Sequence, residues 1–359
     1  MKVSKNILIS VFDKTTNSYK YYWWLSILKL IQKNEQRSLS FNEIAVEMLT
    51  TVWYPVIYYK ISLGTLDKLS TQILNIQNHY DLPDEIDEKT LREFLLEKAA
   101  QNDKEIMNAI KAIMWYVPYR FIRPWFPESL KLRDAAVHDH ILKYQDKIIQ
   151  KAPYKIYAHE RKIELDSDWF HWIKENIMLI ESFTLYKLFE YVEKNNPNMP
   201  NVSLKLFKPR IRKLTTATKL WKSFIDKNPE EHLTVFEKKP LNSIDTLSID
   251  HFLPWSYLTH DQLWNLHPME RSINSQKGNK IPATEYLDEF CNLQYNFVHF
   301  VASENLNLLS DYNSFFTISS SELLQMEMLK FSISFRSKML TEYQFAINRG
   351  FNSNWICKL

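Results

Sequence analysis

Residues 248–282 read SIDHFLPWSYLTHDQLWNLHPMERSINSQKGNKIP and carry the pattern that decides the fold of this part of the chain. A brief apolar run, Leu247 to Ile249, is followed by Pro254, which cannot continue a regular strand. The run therefore predicts a short strand that gives way to a loop at Asp250 and His251. Side chains at such a point can face solvent and still be held by the strand behind them.

A second apolar run, Leu263 to His267, predicts the antiparallel partner strand, with Asn265 in its middle. Two strands alone are marginally stable in water, so a further element must cover them. The segment from Arg271 to Lys280 predicts the covering helix. On that helix Asn274 and Lys277 lie one turn apart and therefore share a face.

The order of these residues resembles a known family, the HNH endonucleases of the ββα-metal type. The family pattern is an Asp-His pair, a central asparagine, and an asparagine or histidine on the following helix. Here these positions are Asp250, His251, Asn265 and Asn274, and the trailing SQKGNKIP is similar to the helix start of the HNH domain in RNA-guided CRISPR nucleases. The resemblance covers about 50 residues and is specific because four roles agree in order and spacing.

The resemblance implies a role for each residue. Asp250 and Asn274 would bind a divalent cation through oxygen, and hard oxygen ligands favour Mg²⁺ or Mn²⁺. His251 would be the general base that activates water, and Asn265 would orient the loop that carries His251. Lys277 either contacts a phosphate or is a solvated helix side chain. The implied reaction is hydrolysis of DNA phosphodiester bonds to a 5′-phosphate and a 3′-hydroxyl.

Three alternatives remain open at this point. Asp250 could cap a helix while His251 packs on Trp255, which would make the stretch a structural turn. The chain could instead be a nucleic-acid-binding or scaffold subunit with an inactive site. The same chemistry could also act on RNA.

The composition describes a folded protein without a nucleotide cofactor. A length of 359 residues predicts two domains, or one large domain with an insertion, and 45% hydrophobic and 14% aromatic residues favour a packed core. The chain has only three glycines, Gly64, Gly278 and Gly350. These cannot form a dinucleotide-binding GxGxxG motif or a P-loop.

The cysteines and the N-terminus predict a soluble, cytoplasmic protein. Cys291 and Cys357 are the only cysteines, and neither belongs to a CxxC motif that could hold zinc. The N-terminus lacks the pattern of a signal peptide. The apolar run from Tyr21 to Ile31 is interrupted by polar residues and is shorter than the ~20 residues of a membrane-spanning helix, so we expect no membrane contact.

A basic segment precedes the motif and predicts a nucleic-acid contact. The formal charge of the chain is only +3, but residues 202–240 are rich in lysine and arginine. Charge of this kind before a nuclease motif can bind phosphates, although it is also typical of a solvated helix face. The candidate residues are Lys205, Lys208, Arg210, Arg212 and Lys213.

The first 200 residues are predicted to be mainly helical. Ser40 to Glu43 has the Ser-x-x-Glu pattern of a capping box, and Asp166 or Ser167 is predicted to cap a long helix. Residues 116–127, YVPYRFIRPWFP, are predicted to be irregular because of their three prolines, and either stack on bases or pack between helices. His260 and His267 match no position of the family pattern and are predicted to be structural.

Together these patterns predict a mainly α protein with a helical body and a small ββα-metal nuclease module towards the C-terminus. The predicted parts are a helical domain, a basic connecting segment, the HNH module, and C-terminal helices that pack on the body: 1–200, 201–232, 233–290 and 291–359. The expected function is a metal-dependent DNA endonuclease, in bacterial antiviral defence. The helical domain would select the target, dock a protein partner or form a homo-oligomer.

Overall fold

The structure is a computed structural model that describes residues 3–13, 15–133, 135–209, 212, 214–228 and 232–358. The chain forms two compact units. The first comprises Met1–Pro197 and Val202–Lys208, and the second comprises Asn198–Asn201 and Pro209–Leu359. Helices predominate in both units, which confirms the predicted mainly α fold.

The described part of the first unit contains nine α-helices and one small antiparallel sheet. The sheet order is β1-β3-β2. The elements are α1 (Lys5–Ser10), α2 (Tyr19–Asn34), β1 (Ser38–Ser40), α3 (Phe41–Trp53), α4 (Lys68–Tyr80), α5 (Glu88–Ala100), α6 (Lys104–Met114), α7 (Val117–Ile122), α8 (Ala135–Tyr144), β2 (Tyr154–Tyr157), β3 (Lys162–Leu165) and α9 (Ser167–Asn195).

Helix α2 packs against α3, α7 and α9, and its aromatic residues Tyr21, Tyr22, Trp23 and Trp24 are buried. Trp24 stacks on Phe121 of α7 with ring centroids 4.9 Å apart. Trp23 Nε1 donates to the hydroxyl of Tyr154 on β2 at 3.0 Å. A tryptophan buried in this way contributes a large apolar area while its polar atom keeps a hydrogen-bond partner.

The predicted capping box begins α3, and the same helix carries a buried carboxylate. Ser40 accepts a hydrogen bond from the backbone N–H of Glu43, and Glu43 accepts one from the N–H of Ser40. Further along α3, the buried Glu47 binds Arg92 Nε at 2.8 Å and Lys29 Nζ at 2.7 Å. Burial raises the pKa of Glu47, but these cations outweigh it and hold the pKa at about 2.

The prediction that residues 116–127 are irregular is wrong for the segment Val117–Ile122, which forms α7. Pro118 lies in the first turn of that helix, where the missing N–H is not needed. Phe121 and Phe126 are buried, and Arg123 donates to three backbone carbonyls, those of Ser129, Leu130 and Leu132. The segment is a packed connection, the second of the two alternatives given above.

The described part of the second unit contains seven α-helices and a two-stranded sheet. Short 3₁₀ turns, Leu241–Ser243, Leu263–Asn265, Thr284–Tyr286 and Leu306–Leu309, connect several of them. The regular elements are α10 (Thr215–Lys227), β4 (Leu247–His251), α11 (Trp255–Leu258), β5 (Leu266–Glu270), α12 (Arg271–Lys277), α13 (Leu287–Glu304), α14 (Ser310–Phe316), α15 (Ser320–Leu324) and α16 (Met328–Asn348).

Strands β4 and β5 form the predicted antiparallel pair, but the second strand is shifted along the sequence. Asp250 pairs with His267 and Ile249 with Pro268. Asn265 lies in the 3₁₀ turn before β5, so its predicted place in the middle of the strand is wrong. Pro268 lies within β5, which is possible because this strand has a hydrogen-bonded neighbour on one side only.

Helix α12 covers the sheet and is shorter than predicted. It begins at Arg271 directly after β5 and ends at Lys277. Gly278 follows with φ +51° and ψ −131°, a conformation that favours glycine because it has no Cβ. The sharp end of α12 therefore depends on Gly278.

Helix α13 packs against the sheet. Phe252, just after β4, stacks on Phe290 of α13 with ring centroids 4.1 Å apart. Gln294 of α13 donates to the backbone carbonyl of Leu266 in β5 at 2.7 Å. Helix α13 also packs on α16, so the C-terminal helices belong to the unit that contains the motif. The four-part division of the chain stays a prediction.

In the part of the chain that the structure describes, no helix has the length and apolarity required to cross a membrane.

Candidate active site

Asp250 is held by a buried lysine. It lies in β4, is 7% exposed, and its Oδ2 is 2.9 Å from Lys277 Nζ. The contact is an ion pair without hydrogen-bond geometry. Lys277 is fully buried and also donates to the backbone carbonyl of His251 at 2.7 Å. Lys277 is thus part of the interior and not the solvated helix side chain considered above.

Asn274 lies on the same side of the sheet as Asp250. Its Nδ2 donates to Ser248 Oγ at 2.7 Å. Ser248 and Asp250 are two residues apart on β4, so their side chains point to the same face of the sheet. Helix α12 therefore lays Asn274 and Lys277 along one face of β4, as their predicted shared face requires.

His251 is fixed by a residue that the sequence pattern did not single out. Its Nε2 is 2.8 Å from Asp261 Oδ1, and its side chain is 1% exposed. The other ring nitrogen, Nδ1, is buried and forms no hydrogen bond with any residue that the structure describes. Asp261 lies in the loop after α11, ten residues beyond His251.

Asn265 anchors the loop that follows His251. Its Oδ1 accepts from Leu253 N and its Nδ2 donates to Leu253 O, both at 2.9 Å. Its backbone carbonyl also accepts from Phe252 N at 2.8 Å. Asn265 is fully buried, and its hydrogen bonds hold the backbone of Phe252 and Leu253.

His267 is buried beside these residues. Phe236, Phe252 and Phe290 surround its ring at centroid distances of 5.1, 5.9 and 5.6 Å. Burial is the main cause that lowers its pKa to about 4; the charges of Lys277 and His251 lower the pKa further, and the charge of Asp250 partly opposes them. These three residues therefore lie close to the ring.

The sequence of residues 236–283 matches the family model of the HNH endonucleases. In this segment the chain is similar to the HNH endonucleases, and we call residues 236–283 the HNH domain. No curated protein and no solved structure matches the chain. The match includes all five positions of the predicted site: Asp250, His251, Asn265, Asn274 and Lys277.

The structure contradicts the alternative in which Asp250 caps a helix. Asp250 lies within β4 and contacts Lys277, so it does not cap a helix. The next helix, α11, begins at Trp255, and the residue before it is Pro254, which has no side chain that could accept a cap hydrogen bond. His251 makes its hydrogen bond with Asp261.

The residues of the HNH domain fit a hard divalent cation. Asp250 offers a buried carboxylate whose Oδ2 is in an ion pair with Lys277 but forms no hydrogen bond, and Asn274 on the same face offers an amide oxygen. Among the described residues no group of three or more His, Cys, Asp or Glu could hold a metal ion. One carboxylate, one amide and several waters is a donor set that suits Mg²⁺.

The predicted nucleic-acid-binding residues differ in burial and in the groups that they contact. Lys205 is fully buried and so presents no charge at the surface. Lys208 forms an ion pair with Asp87 at 2.6 Å in the first unit. Arg212 lies over the ring of Trp255 at 5.7 Å in the second unit. Arg210 and Lys213 lie outside the described residues.

Among the predicted nucleic-acid-binding residues that the structure describes, Arg212 is the one whose charge acts on the candidate active site. Burial raises the pKa of Asp261, but the hydrogen bond and charge of His251 and the charges of Arg212 and His260 outweigh it, so the net pKa is lower than usual. Arg212 is exposed, so its guanidinium group is accessible from solvent.

Asp261 was missed because its signal in the sequence is weak. A carboxylate in a loop is usually a solvated side chain, and nothing in the spacing of Asp261 from His251 indicates contact. The available sequence signal was the position of Asp261 in the short connection between the two apolar runs. A residue in such a connection can contact the end of the preceding strand.

Acidification is expected to destabilise the second unit through His267. In the unfolded chain the pKa of His267 is about 6.5, whereas in the folded chain it is about 4. The contribution of His267 to the free energy of unfolding is therefore fully present above pH 6.5 and is lost as the pH falls towards 4. From pH 7 to pH 5 this group alone should lower the free energy of unfolding by about 2 kcal/mol.

Denaturant unfolding at pH 7 and pH 5 measures this loss. The variant His267→Leu removes the titrating ring and should lose about 2 kcal/mol less than the wild type over the same interval. An equal loss in both proteins would show that other groups carry the acid sensitivity.

Proposed function

We propose that this chain is a metal-dependent endonuclease that hydrolyses DNA phosphodiester bonds and leaves a 5′-phosphate and a 3′-hydroxyl. The observation that carries the proposal is the HNH endonuclease domain at residues 236–283. Within it, β4 and α12 hold Asp250 and Asn274 on one side of the sheet. An oxygen-ligated Mg²⁺ or Mn²⁺ is the cofactor that these residues would hold.

His251 is the proposed general base. Its Nδ1 takes a proton from water, the water oxygen forms a bond to phosphorus, and the bond from phosphorus to the 3′ oxygen breaks. The 3′ oxygen leaves with the bonding electrons and takes a proton from solvent. When bound, a divalent cation neutralises charge on the scissile phosphate and the leaving oxygen.

The other residues of the domain position this base. Asn265 holds the backbone of Leu253, two residues after His251. Lys277 holds the His251 carbonyl and the Asp250 carboxylate together. Because the His251 ring is 1% exposed, substrate binding has to open it to one water molecule.

Arg212 is the proposed contact to the nucleic acid, since it is exposed and its charge acts on Asp261. One site of this type cuts one strand, so a double-strand break needs two protomers or two visits. The helical first unit is proposed to select the target, dock a protein partner or self-associate. A role in bacterial antiviral defence is proposed by analogy with freestanding nucleases.

Cleavage of supercoiled plasmid tests the proposal. Wild-type protein with Mg²⁺ or Mn²⁺ is expected to convert plasmid to the nicked form, with no conversion in EDTA. Asp250→Asn should abolish nicking because it removes the charged cation ligand. Asp245→Asn, five residues earlier and exposed, is the matched control and should nick at the wild-type rate.

Other outcomes would contradict the proposal in distinct ways. Tight DNA binding without cleavage under every metal condition would support a scaffold with an inactive site. Cleavage of an RNA substrate while the plasmid stays intact would show that the substrate is RNA. Nicking in the presence of EDTA would show that the reaction does not need a metal. End-labelling of the nicked product checks for the 5′-phosphate.

A further inference from the structure

The hydrogen bond between His251 and Asp261 determines which ring nitrogen is available for proton transfer. A neutral imidazole has one N–H donor and one bare nitrogen acceptor. Asp261 Oδ1 lies 2.8 Å from Nε2 of His251, whereas Nδ1 makes no hydrogen bond with the described residues. The partner of Nε2 therefore decides the tautomer.

Asp261 is suited to accept and not to donate. Burial raises the pKa of its carboxyl, yet the hydrogen bond with His251 and the nearby positive charges bring the net pKa below the usual value. The carboxylate is consequently ionised at neutral pH, and an ionised carboxylate has only acceptor atoms. Its neighbour Nε2 must then carry the proton.

We propose that Asp261 is a positioning residue that holds His251 as the Nε2–H tautomer, so that Nδ1 keeps the lone pair that accepts the proton from water. The catalytic consequence rests on the function proposed above, whereas the tautomer itself is a property of the protein without metal or substrate. A carboxylate that orients a catalytic histidine in this way is known to matter greatly in other hydrolases.

The surrounding loop does not depend on Asp261 for its path. Leu263 N donates to Asp311 Oδ2 at 2.9 Å, and Asn265 is tied to Leu253 by two hydrogen bonds. Asp261 is also one-third exposed, with a side-chain exposure of 34%. A substitution at Asp261 is therefore expected to leave the fold intact and to change the imidazole.

Asp261→Asn is the informative variant. The amide has nearly the same shape, but it can accept from Nε2–H or donate to a bare Nε2, so it no longer selects one tautomer. We expect kcat for plasmid nicking to fall by about 10²- to 10⁴-fold with little change in KM. Asp245→Asn is the matched control, because Asp245 makes the same carboxylate-to-amide change at an exposed position of the HNH domain.

Nitrogen NMR of ¹⁵N-histidine-labelled, metal-free protein reads the tautomer directly. The His251 signals are assigned by their loss in His251→Ala. Wild type and Asp245→Asn should show a protonated Nε2 and a bare Nδ1, and Asp261→Asn should show a mixture or the opposite tautomer.

The two measurements separate failure of this inference from failure of the proposed function. A protonated Nδ1 in wild type overturns the inference, whether or not the protein cleaves DNA and whether or not Asp261→Asn folds. A wild type that nicks DNA and an Asp261→Asn variant that nicks equally fast also overturn it, while the proposed function stands. A wild type without nuclease activity but with the Nε2–H tautomer overturns only the proposed function.

Discussion

Replacing His251 by alanine is expected to lower the rate of DNA cleavage by about 10²- to 10⁴-fold, the contribution typical of a positioned general base. The effect should fall on kcat, because the imidazole acts on the attacking water and not on substrate affinity. Single-turnover nicking of plasmid at saturating Mg²⁺ measures it. Circular dichroism of the same preparation verifies that the helices persist.

His299→Ala is the control for this variant. His299 is a half-buried histidine on α13 that packs on Tyr295 with ring centroids 4.7 Å apart, so its loss also removes packing in the second unit. It should cleave at nearly the wild-type rate. Wild-type cleavage by His251→Ala would remove the general base from the mechanism, and an equal loss in both variants would point to reduced stability.

Lys277→Met is expected to have the largest effect on stability. Lys277 is fully buried, and its Nζ contacts the carboxylate of Asp250 and the carbonyl of His251. Methionine keeps the volume but leaves a buried carboxylate without its counter-ion. Such a loss costs about 3–5 kcal/mol, which lowers Tm by about 6–20 °C for a unit of this size.

Lys280→Met and a double variant give the controls. Lys280 is exposed, and its Nζ donates only to a carbonyl of its own segment, so its loss should cost less than about 0.5 kcal/mol. Asp250→Asn combined with Lys277→Met removes both charges and should recover part of the stability. An unchanged Tm in Lys277→Met, or no recovery in the double variant, would mean that the pair is energetically unimportant.

The ion pair of Asp250 and Lys277 leads to an expectation about metal binding that the same Tm measurement tests. A divalent cation at Asp250 would supply the positive charge that Lys277→Met removes. Added Mg²⁺ is therefore expected to raise the Tm of Lys277→Met more than that of the wild type. The arrangement of Asp250 and Lys277 links the stability of the HNH domain to its proposed cation.

The core of the site was predictable from local patterns. The short apolar run stopped by proline predicted a strand that gives way to a loop at Asp250 and His251, and β4 extends two residues beyond that run, to His251. The shared face of Asn274 and Lys277 follows from helical periodicity alone, and in the structure both side chains contact β4 or its backbone. The family pattern adds the order of these residues, and the match of residues 236–283 confirms the resemblance to the HNH family.

The boundaries of the second strand were not predictable in this way. The apolar run from Leu263 to His267 predicted a strand with Asn265 in its middle, whereas β5 spans Leu266–Glu270. In the sheet, β5 has one neighbour, so Pro268 can occupy a position with no hydrogen bond to donate. The register depends on which edges of the sheet are open, and that is a property of the assembled fold.

Local sequence thus determined the types of the main elements, because helical and strand periodicities act over a few residues, and the resemblance to the HNH family supplied the candidate metal ligands and the candidate base. Only the folded chain decided the partners of those groups. Lys277 became a buried counter-ion because α12 lies flat on β4, and Asp261 reached His251 because Thr259 turns the chain with φ +58°, an uncommon conformation for a branched side chain. Such contacts depend on the path of a loop through space, which no short-range pattern in the residues encodes.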